Sequence, residues 1–523
     1  MRRTTPNQRL NLHRAVRHVL AFAALLGLGL ALATDGARLI VGLSEDKVSL
    51  DIADVGESAH DFGLLVFDRL VAFTADGGFE AELATDWSVS DDGLTWTFEI
   101  RQGLRFHDGT PVNAEAVKYT FDRVRDPEEN FLRAAVFDRI AEVSVIDEYT
   151  VAFTTSVVHP FMLNTVADVS ASIVSPTAAE ALGRDGFAAT PVGSGPYRFV
   201  SWERGNRLVF EKNPGHWLAD ASNVDVIEMQ IIPDLSSRAI GLETGAIHFA
   251  TRTSPAEAAR LDALPNLVAY NVPLVRNLAI NGNLTKEPFT DVRVRHAIAH
   301  AIDRELIILA FMDGYARVAD SVFTPGVWSY TPQPVFEYDP DRARELLAEA
   351  GYADGFDTKL RVPTGRLGGI IETAEAVSQM LGDVGINVEL ELVEHATFIV
   401  LMREPPETAD HELSFWNWGT LTGEPDYAVR LQFLSDNWSP ACCNRNFYKN
   451  ERVDELIRAG LVAVDESERL AIYQEIQEIV WSEQGHIPLL DYTHTSVGRA
   501  DVTGVGVMPT ERWDFRTVNV GNP

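Results

Sequence analysis

Two histidines in this chain have the spacing of a metal-binding pair. His296 and His300 are four positions apart on a predicted helix, so both side chains could project from one face. A zinc-protease helix also carries a glutamate directly after its first histidine, and Ala297 occupies that position here. We therefore interpret the two residues as solvated helix histidines rather than as metal ligands.

A serine between two glycines, Gly193-Ser194-Gly195, offers a second chemistry, that of a nucleophilic hydrolase. The hydrolase turn needs glycines two residues before and after the serine, and Val192 and Pro196 occupy those positions. The chain has no phosphate-binding G-x-x-x-x-G-K-[ST] loop, and the glycines within 365–369 do not form a dinucleotide fingerprint. We predict that the protein is not an enzyme and that it has no catalytic residue, metal site or cofactor.

Composition narrows the class of protein further. The 523 residues are 46% hydrophobic and 23% charged, which is typical of a globular protein with two or three domains. The formal charge of −32 disfavours nucleic acid as a partner, because such a chain repels phosphate backbones. The two cysteines, Cys442 and Cys443, are too few for a disulfide framework; they could form a vicinal disulfide, remain thiols or pair between chains.

Residues 1–33 have the pattern of a secretory signal peptide. Five arginines precede an apolar run over 19–33, which ends in Ala31-Leu32-Ala33, and no acidic residue occurs before Asp35. The run of about 15 residues is shorter than the roughly 20 that a membrane-spanning helix needs. Removal of the five arginines takes the formal charge from −32 to −37. We expect a mature periplasmic protein without stable membrane insertion, and a monomer.

Strand-like and helix-like segments interleave along the mature chain, which predicts an α/β or α+β protein of two lobes. The predicted strands lie at 38–43, 94–100, 147–155, 359–362, 387–393 and 412–416, with a hairpin formed by 197–200 and 207–211. Predicted helices open at Asn113, Asp291 and Asp339-Pro340, since each supplies a capping side chain before an apolar stripe. A further amphipathic helix contains Leu470, Tyr473, Ile476 and Val480.

Several segments together resemble the family 5 extracellular solute-binding proteins, the dipeptide, oligopeptide and nickel receptors of ABC importers. The matching segments are 83–114 (beginning L-A-T-D-W-S-V-S-D-D-G-L-T-W), 191–199 (P-V-G-S-G-P-Y-R-F), 291–303 (D-V-R-V-R-H-A-I-A-H-A-I-D), 338–351 (Y-D-P-D-R-A-R-E-L-L-A-E-A-G) and 416–427. The resemblance runs from about residue 38 to the C-terminus. It implies a type II-like periplasmic binding fold with an extra subdomain and a ligand cleft between hinge-connected lobes.

The resemblance also divides the chain into expected domains. A discontinuous lobe I consists of 34–55, 192–275 and 495–523, residues 56–191 form its extra subdomain, and 276–494 form lobe II. The implied function is the periplasmic substrate-binding component of an ABC importer. It would capture a small polar solute, with a peptide as the leading expectation, and deliver it to a permease complex at the inner membrane.

The family pattern implies candidate ligand-binding residues in two segments. Pro363-Thr364-Gly365-Arg366 matches the turn whose arginine pairs with the peptide carboxylate, so Arg366 is the carboxylate candidate, with a guanidinium that can bind both oxygens. The second segment supplies Asn417, Trp418, Gly419, Thr420 and Leu421.

Leu421 departs from the family pattern. It occupies the position where the family carries the aspartate that takes the peptide ammonium, and a leucine cannot pair with an ammonium. The departure leaves open a blocked peptide, an anionic metabolite, or an amine held by another group. It also motivates the alternative of a non-peptide ligand such as an opine, a sugar or a chelated metal. From other classes, a secreted hydrolase and a chaperone-like protein remain alternatives.

Overall fold

Short segments in which polar and apolar residues alternate form the strands of this protein. Amphipathic segments that begin with a capping side chain form its helices. The computed structural model describes residues 36–54, 61–74, 78–129, 131, 133–364, 369–420, 423–508 and 512–521. The predicted signal peptide at 1–33 lies outside the described residues. Within those residues, no helix combines the length and the apolar composition needed to cross a bilayer.

The strands of the first half of the chain are β1 (Ala37–Leu43), β2 (Val71–Phe73), β3 (Phe79–Ala81), β4 (Ala84–Val89), β5 (Thr95–Ile100), β6 (Ile140–Asp147), β7 (Thr150–Thr155), β8 (Tyr197–Glu203), β9 (Arg207–Lys212), β10 (Val224–Ile231), β11 (Phe249–Ala250) and β12 (Leu267–Gly282). Those of the second half are β13 (Ala316–Val318), β14 (Phe356–Thr364), β15 (Ile386–Glu394), β16 (Leu413–Gly419), β17 (Ile487–Arg499), β18 (Val502–Thr503), β19 (Gly506–Met508), β20 (Arg512–Asp514) and β21 (Asn519–Val520).

The helices are α1 (Gly63–Val66), α2 (Ala114–Arg125), α3 (Met162–Ala167), α4 (Pro176–Ala189), α5 (Leu235–Thr244), α6 (Pro255–Asp262), α7 (Val292–Ala301), α8 (Arg304–Phe311), α9 (Pro340–Glu349), α10 (Ile370–Asp383), α11 (His395–Leu401), α12 (Pro425–Phe433), α13 (Glu451–Gly460) and α14 (Glu466–Glu483). Short 3₁₀ turns lie at Ile52–Asp54, Ala134–Phe137, Val169–Ala171, Ala219–Ala221 and Ser435–Asn437.

Side-chain caps start the helices where the sequence predicted them. Asn113 accepts a hydrogen bond from the backbone N–H of Ala116, and Asp339 accepts one from that of Arg342. Asp291 caps α7 in the same way. The predicted strand 147–155 is wrong in one respect, because Asp147 ends β6 and a two-residue turn separates it from β7.

A mixed sheet dominates the architecture. Within the described residues it has eleven strands, in the order β15-β14-β16-β12-β17-β11-β1-β10-β9-β8, with β13 pairing with β17. The pairs β1–β11, β14–β15 and β14–β16 are parallel. A separate antiparallel sheet has the order β4-β5-β7-β6. Mixed α/β structure is thus confirmed.

Buried apolar side chains group into separate cores. One core lies on β1 and β8–β10 and includes Leu39 and Phe210, and a second lies between the four-stranded sheet and α2 and includes Phe98. A third core packs α7 and α10 against β12, β14 and β16, around residues such as Leu278. A fourth, which includes Tyr473, joins α12, α13 and α14.

Two long strands connect these cores. β12 has 16 residues and β17 has 13, and they pair antiparallel along most of their length. Their register is interrupted between the pairs Pro273–Thr493 and Asn277–Asp491. The first half of β12 packs beside Leu261 and Val497, whereas its second half contributes Leu278 to the third core. Both strands therefore pass from one core to another through an irregular segment.

Candidate functional site

Four polar or aromatic side chains form a row across four strands. In the strand register, Asn277 of β12 lies opposite Trp418 of β16 on one side and Asp491 of β17 on the other. Asp491 in turn lies opposite Arg317 of β13. Because residues directly opposite each other project from the same face of a sheet, these four side chains share one face. We call them the cross-strand row.

The row stands at the register interruption. Asn277 and Asp491 pair directly beside the shift that follows Pro273, and a second shift lies between Leu278 and Ala279. Strand alternation explains the polarity of this face, since Leu278 and Ile280 point to the third core and Asn277 points away from it. The row thus lies between two irregularities in the pairing of β12 with β17.

Asp491 is a deeply buried carboxylate in this row. Only 2% of its surface is exposed, and its Oδ2 accepts two hydrogen bonds from Arg317, from Nε at 3.1 Å and from Nη2 at 2.6 Å. Its Oδ1 is buried and has no hydrogen-bond partner among the described residues. Burial raises the pKa of Asp491 to about 7, against the opposing effect of the Arg317 guanidinium.

Arg317 divides its guanidinium between two carboxylates. Besides Asp491 it binds Asp320, through Nη1 at 2.7 Å and Nη2 at 2.9 Å, and the Tyr330 hydroxyl also donates to Asp320. Its side chain is 39% exposed, so this end of the row reaches solvent. These three charged groups carry one positive and two negative charges when ionised, which leaves one negative charge uncompensated.

Asn277 is held in place by its neighbours. Its Nδ2 donates to the carbonyl oxygen of Val322 at 3.2 Å, and its Oδ1 lies 3.4 Å from Nε2 of His486. Burial lowers the pKa of His486 to about 3, so this imidazole is neutral at physiological pH. The Asn277 side chain therefore lies between those of Trp418 and Asp491, and its amide group is already hydrogen-bonded to Val322.

Trp418 is fixed by aromatic stacking. Its ring stacks on that of Trp416 with centroids 6.1 Å apart and on that of Tyr427 at 5.9 Å. Trp416 also stacks on Phe398 and lies under the Arg445 guanidinium at 4.3 Å. The indole Nε1 of Trp418 is buried and has no hydrogen-bond partner. Among the described residues, the indole N–H of Trp418 is thus a donor in the row that lacks an acceptor.

The other predicted site residues lie elsewhere or have packing roles. Asn417 faces the opposite side of β16 from Trp418, and its Oδ1 accepts a hydrogen bond from Nη1 of Arg276 at 3.3 Å. A Cβ on Gly419 would lie 2.2 Å from the carbonyl oxygen of Val275, so this glycine permits close approach of β12.

Thr420 is buried, and its backbone N–H donates to the carbonyl oxygen of Val275 at 3.2 Å. Arg366 and Leu421 lie outside the described residues. The roles of these residues in ligand binding stay predictions.

Sequence reasoning missed Asn277, Arg317 and Asp491. A signal for Asp491 was present, since it is the one charged residue in the run I-P-L-L-D-Y over 487–492, where a half-buried strand should carry apolar side chains. Arg317 and Asn277 gave no comparable local signal, because their partners are far away in sequence.

The serine loop resembles a hydrolase site more closely in space than in sequence. Ser194 donates to Oδ2 of Asp68 at 2.7 Å, and Nε2 of His216 lies 3.1 Å from Oδ1 of the same carboxylate. A catalytic triad needs the serine hydroxyl on the histidine, whereas here both groups bind the aspartate. The arrangement is therefore a buried structural network.

The histidine pair also has a packing role. Nε2 of His296 bonds the carbonyl oxygen of Ser482 at 2.7 Å, and Nδ1 of His300 bonds that of Glu337 at 2.8 Å. Both rings pack against Phe336. Both histidines are thus half-buried and hydrogen-bonded to backbone carbonyl groups. The interpretation that they are solvated is wrong, because their rings pack against the protein. In the part of the chain that the structure describes, no three metal-ligating side chains come together.

Cys442 and Cys443 form a vicinal disulfide in the structure. This result selects one of the alternatives that the sequence left open. The pair lies in the loop between α12 and α13, two residues before Arg445.

A comparison with known families gives a match over most of the chain. Residues 78–440 match the family described as bacterial extracellular solute-binding proteins, family 5 Middle. A glutathione-binding protein from Salmonella typhi is 32% identical over 487 residues, which cover 91% of this chain and 93% of that protein.

Solved structures share the fold over almost the whole chain. HbpA2 from Haemophilus parasuis superimposes with a TM-score of 0.83 at 25% identity, covering 93% of this chain and 100% of that one. A periplasmic binding protein of Helicobacter pylori, solved with the peptide STSA, superimposes with a TM-score of 0.77 at 27% identity, covering 93% and 98%. The predicted fold, that of a periplasmic binding protein, is confirmed.

Proposed function

The chain belongs to the bacterial extracellular solute-binding proteins of family 5, and from this premise we propose that it captures a small peptide by lobe closure and delivers it to an ABC permease. Proteins of this family bind solutes and are not enzymes, so the prediction of a non-enzymatic protein is confirmed. The coarse function, substrate binding for an ABC transporter, follows from the family; the peptide and the closure are the proposal.

The single observation that carries the peptide proposal is the similarity to peptide-binding relatives over nearly full length. The Salmonella typhi relative is named for glutathione, which is itself a peptide, and the Helicobacter pylori structure holds the peptide STSA. Each comparison covers more than nine-tenths of this chain. Both of these relatives are named or solved with a peptide, which supports a peptide as the ligand of this chain.

The two long strands support closure about a hinge. β12 and β17 run continuously from one apolar core to another, and their pairing fails between Pro273 and Asn277. A sheet that lacks regular hydrogen bonds at one level bends there more easily than elsewhere. The boundaries that we propose for lobe II, 276 and 494, lie in or beside this irregular segment.

Contacts between the extra subdomain and the helices of lobe II support a closed arrangement. The Phe161 ring lies 6.2 Å from that of Tyr473, and the Arg469 guanidinium lies 5.1 Å from the Phe161 ring centre. Nη1 of Arg139 donates to the carbonyl oxygen of Leu461 at 3.4 Å. We propose that these contacts form when the lobes close on ligand.

The periplasm is the proposed location. The family is extracellular, and the signal-like residues 1–33 precede the matched region. We propose that cleavage after Ala33 releases a monomer that docks on its permease in the closed form.

A non-peptide ligand is the second candidate. Leu421 stands where an ammonium-binding aspartate is expected, which favours an opine, a sugar or a chelated metal over a free-amine dipeptide. Among the described residues, however, no group of three or more metal-ligating side chains is present to hold a metal ion directly.

Native mass spectrometry of the protein purified from the periplasm tests the ligand class. A retained mass that fragments as a peptide supports the proposal, and a retained non-peptide supports the alternative. For protein free of ligand, glutathione and the peptide Ser-Thr-Ser-Ala should each be tried by calorimetry. Either one at 100 times its dissociation constant should stabilise the protein by about 2.7 kcal/mol.

Small-angle scattering tests closure in the same samples. The radius of gyration should fall when the bound peptide is added and should not change with free alanine as the control. Binding without compaction would contradict lobe closure, and failure of both peptides to bind would contradict a peptide ligand.

A further inference from the structure

One carboxylate oxygen in the cross-strand row accepts no hydrogen bond from any residue that the structure describes. Asp491 is 2% exposed, and its Oδ1 is buried without a hydrogen-bond partner. A buried acceptor left without a donor costs about 1–3 kcal/mol, and a charged one costs more. Such an oxygen is explained if a ligand supplies the missing donor.

The neighbouring groups are already committed to other partners. The hydrogen bonds from Arg317 to Asp491 go to Oδ2, and the guanidinium also binds Asp320. The Tyr330 hydroxyl donates to Asp320, and the Asn277 amide donates to Val322. None of these groups donates to Oδ1 of Asp491.

Charge indicates what kind of donor is missing. Arg317 contributes one positive charge, and Asp320 and Asp491 contribute two negative charges when ionised, so one added positive charge would neutralise the cluster. A metal ion would need further ligands, and no metal-ligating group of three exists among the described residues. An ammonium group needs only acceptors, and it brings both the charge and the N–H donors.

We propose that Oδ1 of Asp491 binds the ammonium group of an amine-bearing ligand. This inference rests on the proposed function and names a residue that determines its specificity. The ligand class is a primary amine with a free, protonated nitrogen, such as an unblocked peptide.

The distance from Asp491 to the unpartnered indole N–H of Trp418 indicates the length of the ligand. Nε1 of Trp418 is a buried donor without a partner, two strands away from Asp491. Neighbouring strands lie about 4.8 Å apart, so the two groups are separated by roughly 10 Å along the row. An extended chain advances about 3.3–3.6 Å per residue, so a peptide of two or three residues places its ammonium at Asp491 and a carbonyl oxygen at Trp418.

Acetylation of the ligand amine tests the proposal in the unaltered protein. Glutathione and Ser-Thr-Ser-Ala are compared with their N-acetylated forms by calorimetry at pH 8. The free amines should bind at least about tenfold more tightly, because acetylation removes the charge that pairs with the carboxylate. Equal affinity for free and acetylated forms would overturn the proposal without any variant.

The variant Asp491→Asn assigns the effect to this residue. It should weaken binding of the free amines by about tenfold or more and leave the acetylated forms unchanged. Asp426→Asn is the matched control, since Asp426 is also buried, pairs with Arg430 through Oδ2, and has an unpartnered Oδ1 outside the row. The control should keep the preference for free amines.

Each remaining outcome has a distinct meaning. Loss of the preference in Asp426→Asn but not in Asp491→Asn would overturn the assignment. If the wild-type protein prefers free amines and Asp491→Asn still does so, the inference fails while the peptide function stands. If the wild-type protein binds neither peptide in either form, the proposed function fails, and this inference fails with it.

Discussion

Asp68 and Asp491 are both buried aspartates, and they differ in how fully their oxygens are used. Asp68 is completely buried, and each of its oxygens has a partner, Ser194 on one and His216 on the other. Asp491 uses one oxygen twice and the other not at all. Two buried aspartates of the same residue type thus differ in hydrogen-bond saturation, which residue type alone does not indicate.

The two segments that carry these interactions look different in the sequence from what they are in the fold. The Gly193-Ser194-Gly195 segment looks chemically active, yet in the fold its serine and the nearby histidine satisfy a buried carboxylate. The segment 487–492 looks like an ordinary apolar strand, yet it carries the carboxylate with an unused oxygen. The satisfied carboxylate of Asp68 stabilises the fold, and the unsatisfied oxygen of Asp491 is the one that we propose a ligand contacts.

The largest loss of stability is expected from Gly193→Ala, next to the serine that binds Asp68. The added Cβ would lie 2.1 Å from the carbonyl oxygen of Val66 and 2.5 Å from the Phe67 ring, so the backbone must shift. The free energy of unfolding, measured in urea, should fall by about 3 kcal/mol or more. Gly382→Ala is the control, because nothing lies within 4 Å of its Cβ and the residue is helical. A small effect at Gly193 would mean that this loop is not a rigid structural element.

The next largest effect concerns the free energy of unfolding, which Asp68→Asn should lower and Asp491→Asn should raise at pH 8. An amide can accept only one of the two bonds that Asp68 accepts, so Asp68→Asn should destabilise the protein by about 2–4 kcal/mol. Asp491→Asn removes a carboxylate whose pKa is raised to about 7 from an ordinary 3.8. Between these values the folded state binds more protons than the unfolded state, so wild-type stability falls as the pH rises from 3.8 to about 7, and this group adds no further loss above that.

Unfolding measured at pH 5 and pH 8 checks this pair. Asp491→Asn lacks this loss, so its stability relative to the wild type should be higher at pH 8 than at pH 5, by about 1–3 kcal/mol. Asp68→Asn should be less stable than the wild type at pH 8. If both variants lose the same stability at pH 8, the distinction between a saturated and an unsaturated carboxylate is wrong.

The smallest effect is expected from Trp418→Phe. The ring can still stack on Trp416 and Tyr427, and the lost indole N–H has no partner in the protein. Stability should therefore change by less than about 1 kcal/mol. Affinity for a bound peptide should fall about threefold to tenfold, since a neutral hydrogen bond contributes about 1 kcal/mol. Calorimetry that shows unchanged affinity would remove Trp418 from the site.

Local sequence signals predicted the helices best. Asp291 and Asp339 start their helices as expected because a cap acts on backbone groups two or three residues away. The strand segments were also found, since alternation is a local pattern. The turn between Asp147 and Thr150 was missed because Tyr149 and Val151 continue the apolar pattern across it.

The candidate site was predicted less well. Trp418 was proposed from the family motif and its role in ligand binding stays a prediction, and Asn417 was placed beside it as a polar candidate. In the fold its side chain faces the opposite side of the strand and bonds Arg276, because adjacent strand residues alternate between faces. Asp491 and Arg317 are 174 residues apart, so no window of sequence contains both.

The sequence by itself determined the family, the mixed α/β architecture and the starts of the capped helices, because each depends on motifs or on neighbours within a few residues. Only the tertiary structure decided which buried polar groups are satisfied. The partners of Asp68 come from 126 and 148 residues away, and the missing partner of Asp491 is visible only once all its neighbours are in place. Hydrogen-bond saturation is a property of the assembled fold, since it counts every donor that reaches an acceptor in space.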